Sequence, residues 1–127
     1  MTAPKIRILV VDHNLLVREG LSILLQLQPD MEVIHLARSA REAIRSFAEH
    51  KPNVTLMDLD LPQRAGVQAI QQILEIEPGA CVIGLLTYDW DQSRADALRA
   101  GARSCLSKDR LNENLITVIR NSCRLDS

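Results

Sequence analysis

Apolar residues along this chain alternate between two periodicities. Short, nearly unbroken apolar runs occupy IRILVV (6 to 11), EVIHLA (32 to 37), NVTLMDL (53 to 59), ACVIGLL (80 to 86) and RSCLS (103 to 107), and they predict buried strands. Between them, at about 14 to 28, 39 to 50, 65 to 76, 91 to 100 and 110 to 124, apolar residues recur at helical spacing. The punctuation agrees with this division. Pro29, Pro52 and Pro78-Gly79 each fall between a helix and the next strand, and Gly101 stands where a helix C-cap favours positive φ. Ser39-Ala-Arg-Glu42 has the form of a capping box opening the second helix.

Five β–α repeats with near-continuous apolar strands predict an α/β fold, a parallel sheet covered by helices on both faces. Right-handed crossovers leave few topologies for such a chain. The flavodoxin-like doubly wound sheet, strand order 2-1-3-4-5, is the commonest of them at this length. One domain is expected over residues 1–127, with no linker, repeat or low-complexity segment.

Composition narrows the classes. The net charge of −1 supplies no basic field for nucleic acid, and the 15 Lys and Arg are scattered without interleaved aromatics. No apolar run reaches the ~18 residues of a membrane span, and MTAPKIR lacks a signal-peptide core. Cys81, Cys105 and Cys123 are far apart and each set among apolar neighbours, which suggests buried thiols in a reducing cytosol. A cytoplasmic protein is therefore expected.

In an open parallel sheet the ligand site lies beyond the C-terminal ends of the central strands. The first strand ends in Asp12-His13, the third in Asp58, the fourth in Thr87 and the fifth in Lys108. Polar or charged groups from four strand ends in distant parts of the chain thus converge on one rim. A carboxylate beside a second acid and a cation can act as a nucleophile toward phosphorus. A metal on Asp12 and Asp58, the Lys108 ammonium and the Thr87 hydroxyl would neutralise the charge that phosphoryl transfer develops. Any one of these residues alone more often caps a turn; the four together favour a functional site.

ILVVD ending at Asp12, LVREGL (16 to 21), MDLDLP around Asp58 with Gly66 following, LLT to Thr87, ALRAGA (97 to 102) and LSKD around Lys108 occur in order along the whole chain. In these it resembles a receiver domain of a two-component response regulator, nearest the NarL/FixJ-like (LuxR-type) branch. The resemblance implies the CheY-like version of the fold. It also implies that Asp58 accepts phosphate from a histidine kinase, that Thr87 binds a phosphoryl oxygen, and that Lys108 pairs with the phosphoryl group. Mg²⁺ would be held by two acids at the end of the first strand, by Asp58, and by the backbone carbonyl of Asp60. The resemblance makes the chain a signalling domain rather than an enzyme.

Two departures bear on that expectation. Aligned on LVREGL, Asp12 falls on the first family acid but His13 on the second, the one expected to touch the metal. Mg²⁺ wants oxygen ligands, so weak or absent Mg²⁺ and impaired phosphorylation of Asp58 are expected. His13 is open to three further readings: a ligand for Mn²⁺ or Zn²⁺, a protonated stand-in for the cation, or a hydrogen-bonded strand-end histidine. Cys105 replaces the family's mobile aromatic three residues before the lysine. Tyr88, where a small residue is usual, is positioned to shield the pocket or replace that ring, and Trp90 is open to two readings, an exposed contact or, by preference, a core residue of the fourth helix.

Asp58-Leu-Asp60 with Thr87 and Lys108 also imitates a haloacid-dehalogenase-like phosphohydrolase, although that family carries its Asp-x-Asp on the first strand. Two functions from different classes therefore stand: a phosphorylatable switch, and a pseudo-receiver acting through protein interaction, which His13 and Cys105 favour. In the first helix Leu16, Val17, Leu21, Ile23, Leu24, Leu25 and Leu27 spread beyond the ~100° stripe that one buried face requires. The last helix, with Leu111, Leu115, Ile116, Val118, Ile119 and Leu125, is similar. Wide core faces and a homodimer surface through these two helices are both open readings. NarL/FixJ-like receivers precede a DNA-binding effector domain, which this chain lacks, so it is either part of a transcription regulator or a single-domain protein. No DNA binding is expected of this domain alone.

Overall fold

Runs rich in strand-forming residues place five strands side by side in a computed structural model that describes residues 4–87 and 92–122. They are β1 (Ile6–Val11), β2 (Met31–Ala37), β3 (Val54–Asp58), β4 (Cys81–Leu86) and β5 (Ser104–Ser107). All pair in parallel, in the order β2-β1-β3-β4-β5. The helices α1 (Leu15–Gln26), α2 (Ala40–His50), α3 (Ala65–Ile76), α4 (Ser93–Ala100) and α5 (Leu111–Ser122) connect or follow them, with short 3₁₀ turns at Pro62–Arg64 and Lys108–Arg110. The doubly wound α/β fold expected from the periodicity is the one observed. Tyr88, Trp90, Cys123 and Leu125 lie outside the described residues.

Alternation along the central strands sorts the core into two halves. Ile6, Ile8 and Val10 of β1, with Leu56 of β3, pack on Leu21 and Leu25 of α1 and Leu115 and Ile119 of α5. Leu9 and Val11, with Met57, face Phe47 of α2, Ile70 and Ile73 of α3, and Ala97 of α4. Both sheet faces are covered, so the central strands are predominantly apolar. One irregularity was invisible in the sequence: β2 shifts register between the pairs Ile8–Val33 and Leu9–His35, leaving Ile34 as a bulge. An edge strand accommodates this because it has a neighbour on one side alone.

Local signals close the helices where expected. Asn14 caps α1 by accepting from the Val17 N–H at 3.1 Å. Ser39 caps α2 by accepting from the Glu42 N–H at 3.2 Å, while the Glu42 carboxylate reaches back to the Arg38 N–H rather than to Ser39 itself. Gly101 ends α4 with φ of 115°, a conformation that penalises any side chain.

Gly66, in the first turn of α3, lies directly against the backbone of Asp58, and a methyl group there would run into the Asp58 carbonyl oxygen and the Leu59 backbone. Because both neighbours are main chain, neither can yield by changing rotamer. Gly66→Ala is expected to destabilise the fold by about 1–3 kcal/mol, measured by urea unfolding. An unchanged midpoint would show that α3 can move away from β3 at little cost.

Candidate functional site

The C-terminal ends of β1, β3, β4 and β5 form one rim, and the sheet's hydrogen bonding continues into it. The Asp12 N–H donates to the Ala37 carbonyl at 3.0 Å and the Leu59 N–H to the Leu85 carbonyl at 2.7 Å. Asp12 and Asp58 are therefore held by the ladder itself, and both are fully buried. Lys108 follows β5 and opens a 3₁₀ turn, which projects its side chain across the rim.

Lys108 Nζ stands 2.9 Å from Asp12 Oδ2, 2.9 Å from Asp58 Oδ1 and 3.1 Å from Asp60 Oδ2. Asp58 is the most heavily engaged of the three acids. Its Oδ1 also accepts from the Asp60 N–H at 2.8 Å, and its Oδ2 meets the His13 N–H at 3.2 Å and the His13 Nδ1 atom at 2.5 Å. Burial pushes the Asp58 carboxyl up, but hydrogen bonds from Lys108 and His13 and the Lys108 charge outweigh it. The net position is below the ordinary 3.8. Burial likewise pulls Lys108 down, and the Asp58 and Asp12 carboxylates more than reverse this, holding its ammonium well above the ordinary 10.5.

Every site residue expected from the sequence is on this rim. Lys108 contacts Asp12 and Asp58, His13 contacts Asp58, and Thr87 joins them indirectly. Both the Thr87 N–H (3.0 Å) and its hydroxyl (2.6 Å) donate to Asp60 Oδ2. Asp60 was expected to offer its backbone carbonyl to a metal; its carboxylate is engaged in the cluster as well, a contact not foreseen from the sequence. Two further participants were missed. Asn14 donates its N–H to Asp12 Oδ1 at 2.8 Å, and Arg18 Nη1 donates to the Asp12 carbonyl at 2.9 Å. Asn14 was findable as an N-cap residue preceding a helical run; Arg18 carries no signal that separates it from the other basic residues. Cys105, in place of the expected ring, is buried among the α2–α4 core residues.

Asp12, His13 and Asp58 each bring one ligand atom within 4.8 Å of the others. The two acids suit a divalent cation: Asp12 Oδ2 is buried without a well-aligned hydrogen bond, facing Lys108 as an ion pair. The third position does not suit Mg²⁺. It offers an imidazole nitrogen already packed against Asp58, whereas Mg²⁺ demands an octahedron of oxygens. A nitrogen with two carboxylates matches softer divalent ions better.

The family model for the response regulator receiver domain matches residues 8–120. Among curated proteins, the transcriptional regulatory protein YxjL of Bacillus subtilis is 36% identical over 124 residues, covering 98% of this chain and 57% of YxjL. The oxygen regulatory protein NreC of Staphylococcus carnosus is 34% identical over 122 residues, covering 95% and 56%. The chain thus spans about half the length of the curated relatives it matches. Among solved structures, the response regulator domain of Thermotoga maritima CheB superposes with a TM-score of 0.86 at 28% identity, covering 97% of this chain and 99% of that one. The signal receiver domain of NarL from Mycobacterium tuberculosis does so with a TM-score of 0.87 at 26% identity, covering 94% and 96%.

Lys108 is the cation that allows Asp12 and Asp58 to be buried side by side. Lys108→Met is expected to lower stability by roughly 3–5 kcal/mol at neutral pH, measured by urea unfolding. The loss should depend on pH. The folded Asp58 carboxyl lies below its unfolded value of 3.8, so its contribution is complete above that value and disappears as pH falls through the folded one. The gap between parent and variant should accordingly shrink below pH 3.8. A gap independent of pH would assign the loss to packing.

Proposed function

The chain belongs to the response regulator receiver domain family, NarL/LuxR type, and on that premise we infer that it is an atypical receiver whose Mg²⁺-dependent phosphorylation is impaired and which acts through protein interaction. The observation that carries this reading is the His13 imidazole, 2.5 Å from Asp58 Oδ2, in the place of an expected metal-binding acid. Asp58 would be the phospho-acceptor. Its two oxygens are engaged by Lys108 and Asp60 on one side and His13 on the other, which leaves a poorly available nucleophile. Asp12, Asp58 and the Asp60 carbonyl would remain as oxygen ligands, giving weak Mg²⁺ binding and a relative gain for Mn²⁺.

A conventional switch is the second reading. The observation in its favour is that Asp58 is buried at the rim with Lys108 at 2.9 Å and with Thr87 in the same cluster. Its phosphodonor would be a histidine kinase. Either domain would work alongside a DNA-binding output half, as befits relatives that are transcription regulators of about twice this length. No helix among the described residues is long and apolar enough to cross a membrane, which agrees with a cytoplasmic site of action.

For self-association, α1 and α5 differ. The large apolar residues of α5 enter the core or pack against it: Leu111, Leu115 and Ile119 are buried, and Ile116 and Val118 lie partly so. Helix α1 instead leaves Leu16 81%, Ile23 64% and Leu27 73% exposed along one side. A homodimer would therefore use α1 as its principal surface.

Two measurements test these readings. Acetyl phosphate with Mg²⁺ is expected to leave the parent mass unchanged and to add a phosphate to His13→Asp, with Asp58→Ala as the control. A parent adduct that Asp58→Ala abolishes would establish the conventional switch. In sedimentation, Leu16→Glu combined with Leu27→Glu is expected to convert a parent dimer to monomer without loss of thermal stability. A parent already monomeric at high micromolar concentration would remove the dimer reading.

A further inference from the structure

The carboxylate of Asp60 receives more donors than its place on an exposed turn requires. Its Oδ2 atom accepts from the Thr87 N–H at 3.0 Å and the Thr87 hydroxyl at 2.6 Å, and it lies 3.1 Å from Lys108 Nζ. A backbone amide, a hydroxyl and an ammonium converging on one atom make an oxyanion site. Here that site is filled by the chain's own acid.

The site adjoins Asp58. The Asp60 N–H donates to Asp58 Oδ1 at 2.8 Å, and the ammonium that faces Asp60 also stands 2.9 Å from that same Asp58 oxygen. A tetrahedral oxyanion built on Asp58 would draw on the Lys108 donor that already serves Asp60. Two anionic groups cannot share one ammonium and one pair of Thr87 donors without strong repulsion beside the buried Asp58. The Asp60 carboxylate is tethered two residues from Asp58, so it competes at the high effective concentration of an intramolecular ligand.

We propose that the Asp60 side chain is an internal occupant of the oxyanion site formed by Thr87 and Lys108, which it must vacate before Asp58 can carry a phosphoryl group. This obstacle is separate from His13. His13 bears on the metal side of Asp58, through Oδ2, whereas Asp60 bears on the Lys108 side, through Oδ1. It follows that Thr87 is held toward the rim without phosphate. The inference rests on the reading of Asp58 as the acceptor residue.

The test combines Asp60→Ala and Asp60→Asn with His13→Asp, using acetyl phosphate as donor, Mg²⁺ or Mn²⁺ as the ion, and intact mass as the readout. In the His13→Asp background, Asp60→Ala is expected to raise the initial rate of phosphate incorporation by at least about tenfold, with Asp60→Asn between the two. Without any donor, the Thr87 amide resonance should move upfield in Asp60→Ala, because its carboxylate acceptor is gone. Asp60→Asn keeps the shape of the turn and carries the same test should the alanine variant unfold. A rate unchanged or lowered in both variants, a Thr87 amide that does not move, or no adduct in any variant would overturn the inference. Failure of the impaired-receiver reading shows separately, as parent incorporation equal to that of His13→Asp with Asp60 intact.

Discussion

One ammonium organises the C-terminal rim of the sheet. Lys108 lies within 3.1 Å of three carboxylates, Asp12, Asp58 and Asp60, which arrive from two different strand ends. A parallel sheet necessarily brings the ends of β1, β3 and β5 to one edge, and at that edge solvent is largely excluded from Asp12 and Asp58. Two buried carboxylates without a counter-charge would repel one another strongly in that low dielectric. Lys108 makes their burial tolerable, and it ties the last strand to the first and third while doing so.

Around that ion pair the cluster is organised by two residues that no other part of the fold requires. His13 meets Asp58 from one side and Asp60 meets Lys108 and Thr87 from the other. A pocket of this family that holds a cation and a phosphoryl group has to leave room and unspent donors for both. In this chain the His13 imidazole and the Asp60 carboxylate engage Asp58, Lys108 and Thr87 directly. Polar groups that engage one another in this way hold each other in place, because a group that moved would leave a partner unpaired. The interaction-based function proposed above rests on that engagement of the Asp58 oxygens.

The remaining described residues form an ordinary two-faced core, and the most exposed of their large apolar side chains, Leu16, Leu27 and Ile23, lie along α1 and its C-cap, away from the α2–α4 layer. Helices α1 and α5 cover the same face of the sheet. Helix α1 is the more apolar of the two as a sequence; α5 buries or half-buries its large side chains, whereas α1 and its C-cap face solvent with Leu16, Ile23 and Leu27. The difference arises because the apolar positions of α1 wrap round the helix while only one side of any helix can meet a sheet.

Strand order, the two-layered covering of helices, the helix caps at Ser39 and Gly101 and the gathering of Asp12, His13, Asp58, Thr87 and Lys108 at one rim were all legible in the sequence. They depend on periodicity, turn chemistry and crossover handedness, which are properties of neighbouring residues and of chain direction. The bulge at Ile34, the entry of the Asp60 carboxylate into the cluster, the attachment of Arg18 to the Asp12 carbonyl and the unequal burial of α1 and α5 were not legible. Each of these is a choice among competing partners a few ångströms apart in space, most of them far apart in the chain. Sequence by itself determined which chemical groups reach the rim. The tertiary structure alone decided which oxygen faces which donor, because a hydrogen bond is won or lost over distances much shorter than the rise of a single strand residue.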